Sequence, residues 1–296
     1  MFLICPLQGH FKMKILLLGY TGMVGTAVED VCKIKNINCT GLAHKDLEVT
    51  KPDELKVAIE HHKPDIVINS AALVGINQCE LEPLKAFDVN TVAVSNMAKI
   101  CEKNNISLVQ ISTSAVFDGT KDDFYTEEDL PNLTGIYSAS KYASECFVRN
   151  ICSKHYIIRL PILFGKRRNK GLRFLDKVIE PIKNGEEIRA SIDKIDSPTY
   201  TIDAANTLIS LLEREKPFGL YHIANSGTAS YYDFVSKIVE ILGVDTKIIE
   251  AKDKDFKSLV YNPLKLAIKS IKLKPLRSWQ NALHEFITSD LQTNDR

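Results

Sequence analysis

The chain has 296 residues, 45% of them hydrophobic, which suffices for one large domain or a main domain with a smaller companion. Lys and Arg number 38 against 37 Asp and Glu, so charge gives no argument for binding nucleic acid or a charged membrane. No run of about 18 apolar residues predicts a membrane span. The seven cysteines are scattered without a Cys-x-x-Cys or Cys/His cluster, which disfavours zinc and disulfides and predicts a cytoplasmic protein.

The first half of the chain alternates short apolar runs with amphipathic segments. The runs predict buried strands at residues 13–18, 37–42, 65–69, 108–111 and 156–160. The amphipathic segments predict helices from about 25 to 35, at 51–62 with Thr50 as N-cap, at 83–103 and at 138–150. Fully apolar strands separated by helices predict an α/β fold with a doubly wound parallel sheet of the Rossmann type, whose ligands gather at the carboxyl ends of the strands.

The second half of the chain is less regular. It predicts helices at residues 174–183, 203–212 and 231–242, a strand at 220–223, a turn at 196–199 and a last amphipathic segment at 276–287. We therefore expect a dinucleotide-binding domain at residues 13–165 and a smaller C-terminal α/β substrate lobe at 166–296, with 200–224 returning to the main sheet. Residues 1–12 are interpreted as an N-terminal tail, because their apolar start lacks the basic region of a signal peptide.

A glycine-rich turn, Gly19-x-x-Gly22-x-x-Gly25, lies between the first predicted strand and the first predicted helix. Glycine permits the tight turn, the close approach of a pyrophosphate to the backbone, and close packing of helix on strand. The helix N-terminus then presents free N–H groups to the phosphates. In this strand–helix setting the turn predicts a dinucleotide site.

The tip of the second strand predicts which nicotinamide cofactor is bound. It reads Leu42-Ala43-His44-Lys45, with no carboxylate to accept a hydrogen bond from a ribose 2′-OH. His44 and Lys45 can instead face a 2′-phosphate. The sequence therefore favours NADP, with NAD as the alternative.

Tyr137 and Lys141 lie four residues apart in a predicted helix, so their side chains share one face. A fixed positive charge beside a phenol favours the phenolate. It lowers the pKa of the phenol from about 10 towards neutral pH, where the group can transfer a proton in catalysis. The strand end Ser112-Thr113-Ser114 can supply a hydroxyl that holds the carbonyl or alcohol oxygen. The Tyr-x-x-x-Lys spacing alone is weak evidence for a catalytic pair. The other motifs of the chain strengthen that interpretation.

Taken together, the glycine turn, Asn69-x-Ala71-Ala72, Ser112-Thr113, Tyr137-x-x-x-Lys141 and Arg159 resemble the extended short-chain dehydrogenase/reductase superfamily. Further segments narrow the match, and in this order they resemble the dTDP-4-dehydrorhamnose reductase family. They are Glu80-x-Glu82-Pro83, Val89-Asn90, Val116-Phe117-Asp118-Gly119, Asp196-Ser197-Pro198-Thr199 and Gly219-Leu220-Tyr221-His222.

This resemblance implies roles for the matching positions. Tyr137 is the expected proton donor, Lys141 its partner and Thr113 the hydroxyl that holds the sugar oxygen, whereas Arg159 is expected to be structural. The residues expected to bind the cofactor are Gly19, Thr21, Gly22, Met23, Val24, His44, Lys45, Glu48, Val49, Ala71, Ala72, Leu73, Asn90, Tyr137 and Lys141. Those expected to bind the substrate are Ser112, Thr113, Ser114 and Tyr137.

The chain departs from the family pattern mainly in the substrate half. The usual Thr-Asp-Tyr after the fourth strand is Thr113-Ser114-Ala115, so two groups that grip the sugar are missing. The usual Thr-x-Val-Asp reads Val74-Gly75-Ile76-Asn77, and Arg-Thr-Ser-Trp becomes Arg159-Leu160-Pro161-Ile162. Thr26-Ala27 stands where some members place a metal-binding glutamate, so no metal is expected.

The main functional hypothesis is NAD(P)H-dependent reduction of a 4-keto deoxysugar nucleotide. The alternatives are an epimerase that retains NAD and a non-catalytic NADP-binding subunit resembling the methionine adenosyltransferase β subunit. Dehydration is disfavoured, because relatives with that chemistry carry Asp-Glu where this chain has Ser114-Ala115. A homodimer is possible.

The basic run Lys166-Arg167-Arg168-Asn169-Lys170 follows the fifth predicted strand. It suits either a solvated surface or the diphosphate of the substrate, because arginine forms bidentate phosphate contacts. Nucleic acid is a less favoured partner, since no aromatic stacking platform accompanies the run.

Overall fold

The computed structural model describes residues 13–168 and 174–291. The elements of the first half are β1 (Lys14–Leu18), α1 (Met23–Ile34), β2 (Asn38–Leu42), α2 (Pro52–His62), β3 (Ile66–Asn69), α3 (Ile76–Leu81), α4 (Pro83–Phe87), α5 (Ala93–Lys103), β4 (Ser107–Thr113), α6 (Ile136–Ile151) and β5 (His155–Leu160). Those of the second half are β6 (Leu163–Phe164), α7 (Phe174–Lys183), β7 (Ile188–Ser191), β8 (Ile195–Asp196), β9 (Thr199–Tyr200), α8 (Thr201–Glu213), β10 (Gly219–His222), β11 (Ala229–Ser230), α9 (Tyr231–Leu242), β12 (Ile248–Ala251) and α10 (Trp279–Glu285).

Six strands form one parallel sheet in the order β10-β5-β4-β3-β1-β2. Successive side chains of β1 point to opposite faces, as strand geometry requires. Ile15 and Leu17 join a core with α1 and α8, whereas Leu16 and Leu18 join a core with α2, α5 and α6. Helices therefore cover both faces, and the predicted doubly wound parallel sheet is confirmed.

The second half contributes both to the main sheet and to a separate lobe. Strand β10 pairs in parallel with β5 at the sheet edge, and α8 packs against α1. The lobe contains the β7–β12 pair with α7, α9 and α10, whose apolar core is separate from the two cores of the sheet. No helix within residues 13–168 and 174–291 is long and apolar enough to cross a membrane. The predicted N-terminal tail, residues 1–12, lies outside the described residues.

Two local predictions differ from the structure. The helix predicted at residues 83–103 is α4 and α5 joined by a π-helical turn, Asp88–Val92. The predicted N-cap Thr50 is wrong, because α2 begins at Pro52 with Lys51 at the N-cap position. The Thr50 hydroxyl instead donates to Glu48 Oε1 at 2.9 Å, so it stabilises the loop before the helix.

Candidate active site

The glycine turn forms a close contact between β1, β3 and α1. Gly19 has φ +77°, and a Cβ there would lie 2.7 Å from Ala71 N, so both backbone conformation and space favour glycine. A Cβ on Gly25 would lie 2.5 Å from Tyr20 Cα. Gly22 is the N-cap residue of α1 and provides no side-chain cap. The turn therefore presents α1 N–H groups to an approaching anion, which fits the pyrophosphate of a dinucleotide.

A cleft of about 600 Å³ opens at the carboxyl ends of the strands, within the range typical of small-ligand sites. It begins at the glycine turn, passes the tip of β2 and the loop after β3, and reaches the start of α6. Most of the residues expected to bind cofactor or substrate line this one cleft. They are Gly19, Thr21, Gly22, Met23, Val24, His44, Glu48, Val49, Ala71, Ala72, Leu73, Ser112, Thr113, Tyr137 and Lys141.

Three of the expected site residues are placed differently. Lys45 is exposed beside His44 but does not line the cleft. Ser114 is buried at the start of the 3₁₀ turn after β4, and the cleft lining does not include it. Asn90 is fully buried beneath the cleft. The cleft lining therefore does not include these three positions, and direct ligand contacts there stay a prediction.

The buried amide of Asn90 links the loop after β3 to helix α6. Its Oδ1 accepts from Leu73 N and its Nδ2 donates to Leu73 O, both at 2.9 Å. The same Nδ2 donates to Ser140 Oγ at 3.0 Å, and that hydroxyl donates to Tyr137 O at 2.9 Å. Asn90 lies in the π-helical turn, a feature frequent at functional sites. It therefore fixes two walls of the cleft relative to each other.

Tyr137 and Lys141 lie one turn apart on α6, and both line the cleft. Lys141 is only 3% exposed, and its Nζ donates to Ile111 O at 2.7 Å. Burial lowers the pKa of Lys141 to about 8, while the carboxylate of Glu145 opposes that shift. The ammonium is thus held between strand β4 and the helix that carries the phenol.

The hydroxyls that end β4 have different partners. Thr113 Oγ1 accepts from Ala115 N at 3.1 Å, which leaves its single hydrogen for an oxygen in the cleft. Ser112 Oγ donates to Glu145 Oε1 at 2.5 Å, so its hydrogen is committed to a buried carboxylate. Of the two, Thr113 is the residue suited to hold a substrate oxygen, and Ser112 is better placed to anchor α6 on β4.

Sequence reasoning assigned no role to two carboxylates that position α6. Glu145, fully buried, contacts both Ser112 and the expected structural arginine, Arg159. Glu80 Oε1 accepts from Ile136 N at 2.7 Å, where its negative charge also favours the helix N-terminus. Neither pairing has a local sequence signal, since the partners lie on separate elements.

The cleft also contains residues that were not expected, namely Lys85, Asp88, Val89, Leu160, Pro161 and Leu163 among others.

The described part of the basic run lies near the glycine turn at one end of the cleft, where Arg168 N donates to Thr21 O at 3.1 Å. The Arg168 guanidinium pairs with Glu29 and with Asp30 on α1. Because those carboxylates neutralise the guanidinium, Arg168 is less suited to bind the diphosphate of a substrate. Asn169 and Lys170 lie outside the described residues.

Comparison with known proteins identifies the same family as the sequence motifs. Residues 13–292 match the family described as RmlD substrate binding domain. The chain is 30% identical to the spore coat polysaccharide biosynthesis protein SpsK of Bacillus subtilis (strain 168), over 93% of this chain and 96% of that protein. It is 28% identical to the dTDP-4-dehydrorhamnose reductase of Aggregatibacter actinomycetemcomitans, over 80% and 81% of the two chains.

A similar solved structure is the dTDP-4-dehydrorhamnose reductase of Bacillus anthracis in complex with NADP. It has a TM-score of 0.88 and 27% identity, covering 94% of this chain and 99% of that one. The family predicted from the motifs is thereby confirmed. The chain belongs to the RmlD substrate binding domain family.

Proposed function

We propose that the protein is an NADPH-dependent reductase of a 4-keto deoxysugar linked to a nucleoside diphosphate. The observation that carries the proposal is the placement of Tyr137, Lys141 and Thr113 on the cleft that begins at the glycine turn. Relatives named as reductases of such nucleotide sugars, one of them solved with NADP, support the same reaction and cofactor.

The residues of the cleft fit a dinucleotide. The turn at Gly19, Gly22 and Gly25 would hold the pyrophosphate at the start of α1, and Glu48 and Val49 would lie beside the adenine. His44 at the tip of β2 lines the cleft and would face the 2′-phosphate. When bound, NADPH supplies the hydride for the carbonyl carbon.

The protein's part in the reaction is to hold the carbonyl oxygen and to protonate it. The Thr113 hydroxyl donates a hydrogen bond to that oxygen, and the Tyr137 phenol transfers its proton as the alkoxide forms. The buried ammonium of Lys141 stabilises the phenolate left behind, and Ile111 O keeps it in place. Such acid catalysis contributes about 10²–10⁴ in rate.

The sugar-gripping residues are what distinguish this chain from the family pattern. Ser114 is buried, and Ala115 has no polar group, so neither supplies the contacts of the usual Asp and Tyr. We infer that a 4-keto-6-deoxy sugar nucleotide is the substrate class, with the sugar held by groups outside this segment.

The test is turnover of dTDP-4-keto-6-deoxyhexoses by the purified protein with NADPH deuterated at C4. Deuterium found at C4 of the product sugar by mass spectrometry would support reduction at that carbon. Absence of turnover with every keto sugar nucleotide would contradict the proposal. Oxidised NAD that survives purification would instead favour the epimerase, and a stable complex with a larger enzyme, without turnover, the regulatory subunit.

A cytoplasmic location and a homodimer are further parts of this proposal. Cell fractionation tests the first, and light scattering on the purified protein tests the second. The expected results are recovery with the cytosolic fraction and a mass of about twice 33.2 kDa.

A further inference from the structure

Helix α6 and strand β4 hold two buried charges of opposite sign beside the cleft. The buried Lys141 donates from its Nζ to Ile111 O at 2.7 Å. The buried Glu145 accepts at its Oε1 from Ser112 Oγ at 2.5 Å. Ile111 and Ser112 are consecutive residues of β4. Because residues i and i+4 of a helix share one face, the ammonium and the carboxylate are neighbours on both elements.

A second buried cation competes for this carboxylate. The guanidinium of Arg159 donates from Nε and Nη2 to the two oxygens of Glu145, at 3.0 and 2.7 Å. Arg159 belongs to β5, so it reaches the carboxylate from a third element. The exposed Arg149 adds only a longer contact of 3.8 Å. Two buried cations thus share one carboxylate, and the guanidinium takes the direct hydrogen bonds. The ammonium of Lys141 is left only partly compensated.

The pKa of Lys141 reflects this sharing. Burial lowers it from an ordinary 10.5 to about 8, and the charges of Glu145 and, after it, Cys79 oppose that shift. Burial raises the pKa of the Cys79 thiol on α3, so this group is neutral where Lys141 titrates. Lys85 on α4 and Asp88 in the π-helical turn are charged residues of the same cleft lining. Glu145 is therefore the main group that favours the charged form of Lys141.

We propose that Glu145 is a positioning residue for the reaction, which keeps the positive charge on Lys141, and that Arg159 limits this effect by sharing the carboxylate. The inference rests on the proposed function, in which the ammonium of Lys141 stabilises the phenolate of Tyr137. A neutral amine does not stabilise that anion. The balance between the carboxylate and the guanidinium thus sets the pH above which proton transfer fails.

The sign of each effect follows from the charge that is removed. Glu145→Gln retains the size of the side chain and an acceptor for Ser112, but it removes a negative charge. Lys141 should then lose its proton at a lower pH, by about 1–3 units, as is usual for the loss of a nearby opposite charge. Arg159→Met removes the competing positive charge, so Lys141 should keep its proton to a higher pH, by about one unit. A role limited to anchoring α6 predicts no such pair of opposite shifts.

The experiment titrates Lys141 directly by NMR in the full chain, labelled with ¹³C at the lysine Cε atoms and assigned by comparison with Lys141→Met. We expect a midpoint near pH 8 in the unaltered protein, a lower midpoint in Glu145→Gln and a higher midpoint in Arg159→Met. Glu102→Gln is the matched control and should leave the midpoint unchanged. That glutamate also accepts from a serine, Ser153, but it lies exposed at the end of α5.

Near-ultraviolet circular dichroism establishes that each variant is folded before its titration is interpreted. A lowered midpoint in Glu145→Gln is a change that loss of structure does not produce, because exposure returns a lysine to its ordinary pKa. A midpoint that does not fall in Glu145→Gln, or that does not rise in folded Arg159→Met, would overturn the proposal. If only Arg159→Met folds, its midpoint decides the question alone.

Turnover measured in parallel separates this inference from the proposed function. The fall of kcat at high pH, which reports the Tyr137–Lys141 pair, should move to lower pH in Glu145→Gln and to higher pH in Arg159→Met. A fall of kcat that stays in place while the Lys141 midpoint shifts contradicts the role given to Glu145 and leaves the reductase intact. Opposite shifts of the midpoint, in a protein that turns over no keto sugar nucleotide, support the charge sharing and contradict the reductase.

Discussion

The carboxylate of Glu145 and the guanidinium of Arg159 form a buried ion pair, with Nε to Oε1 at 3.0 Å and Nη2 to Oε2 at 2.7 Å. Arg159 lies opposite Ser112 in the β4–β5 ladder, and its guanidinium also lies 5.2 Å from the centre of the Phe117 ring. The pair thus joins the end of β5 to α6, one turn beyond Lys141.

Breaking this pair on one side should destabilise the fold strongly. Arg159→Met leaves the buried Glu145 with the longer 3.8 Å contact to the exposed Arg149 in place of its two-bond partner, and we expect the free energy of unfolding to fall by about 3 kcal/mol. The double variant Glu145→Leu with Arg159→Met removes both charges and should recover most of that loss. Urea unfolding of the unaltered protein, Arg159→Met and the double variant measures the difference. A double variant less stable than Arg159→Met alone would contradict this account.

Removal of the Thr113 hydroxyl should affect catalysis more than binding. Thr113→Val keeps the shape of the side chain but loses the hydrogen-bond donor, so we expect kcat to fall by about 10². Thr113→Ser retains the hydroxyl and should stay within about tenfold of the unaltered enzyme. Steady-state kinetics with NADPH affinity measured separately provide the check. Equal kcat for the valine and serine variants would remove Thr113 from the proposed mechanism.

His44 should contribute to the choice of cofactor. Its ring is exposed and lines the cleft, so it can reach a 2′-phosphate at the tip of β2 on leaving Glu48 Oε2, which lies 3.2 Å away. We expect His44→Ala to lower kcat/KM for NADPH by about 3–10-fold and to leave NADH unaffected, since exposed charge pairs are worth about 1 kcal/mol. Lys45→Ala is the matched comparison outside the cleft lining and should have the smaller effect. The same loss with NADH as with NADPH would show that His44 does not select the phosphate.

The buried carboxyl of Asp196 should make stability depend on pH. Burial raises its pKa from an ordinary 3.8 to about 7, although Ser197 N–H and Lys194 act in the opposite direction. Between those values the folded state binds the proton more tightly than the unfolded state, so this group lowers stability as pH rises from about 4 to 7.

Asp196→Asn should therefore leave stability nearly unchanged at pH 4 and increase it at pH 8. One pKa unit corresponds to 1.36 kcal/mol, so the gain is on the order of 4 kcal/mol at most. Urea unfolding of both proteins across this range measures it. A difference in unfolding free energy that does not vary with pH would contradict a buried, protonated Asp196.

Strands and helices with strong periodicity could be predicted from the sequence, because their burial pattern is local. The predicted helix at residues 231–242 coincides with α9, where Ser230 and Asp233 form a capping box. The π-helical turn at Asp88–Val92 could not be predicted, since it continues the helical pattern on both sides. Its consequence, a buried Asn90 that contacts Leu73 and Ser140, depends on tertiary packing.

The candidate site divides in the same way. Gly19, Tyr137 and Lys141 could be identified because their spacing carries the chemistry within one element or turn. The contact between Asn77 and Leu259 could not be predicted, since these residues meet only after the chain folds. Residue type alone could not show that the Ser112 hydroxyl donates to the carboxylate of Glu145.

The most direct test of the central claim is the single-turnover rate of hydride transfer in Tyr137→Phe with NADPH and a 4-keto sugar nucleotide. We predict a fall of about 10²–10⁴ in that rate, with unchanged NADPH affinity, because the variant lacks only the proton donor. Tyr142→Phe removes the same atom from the next turn of α6 and should react at the normal rate. Equal rates for Tyr137→Phe and the unaltered protein would contradict the account.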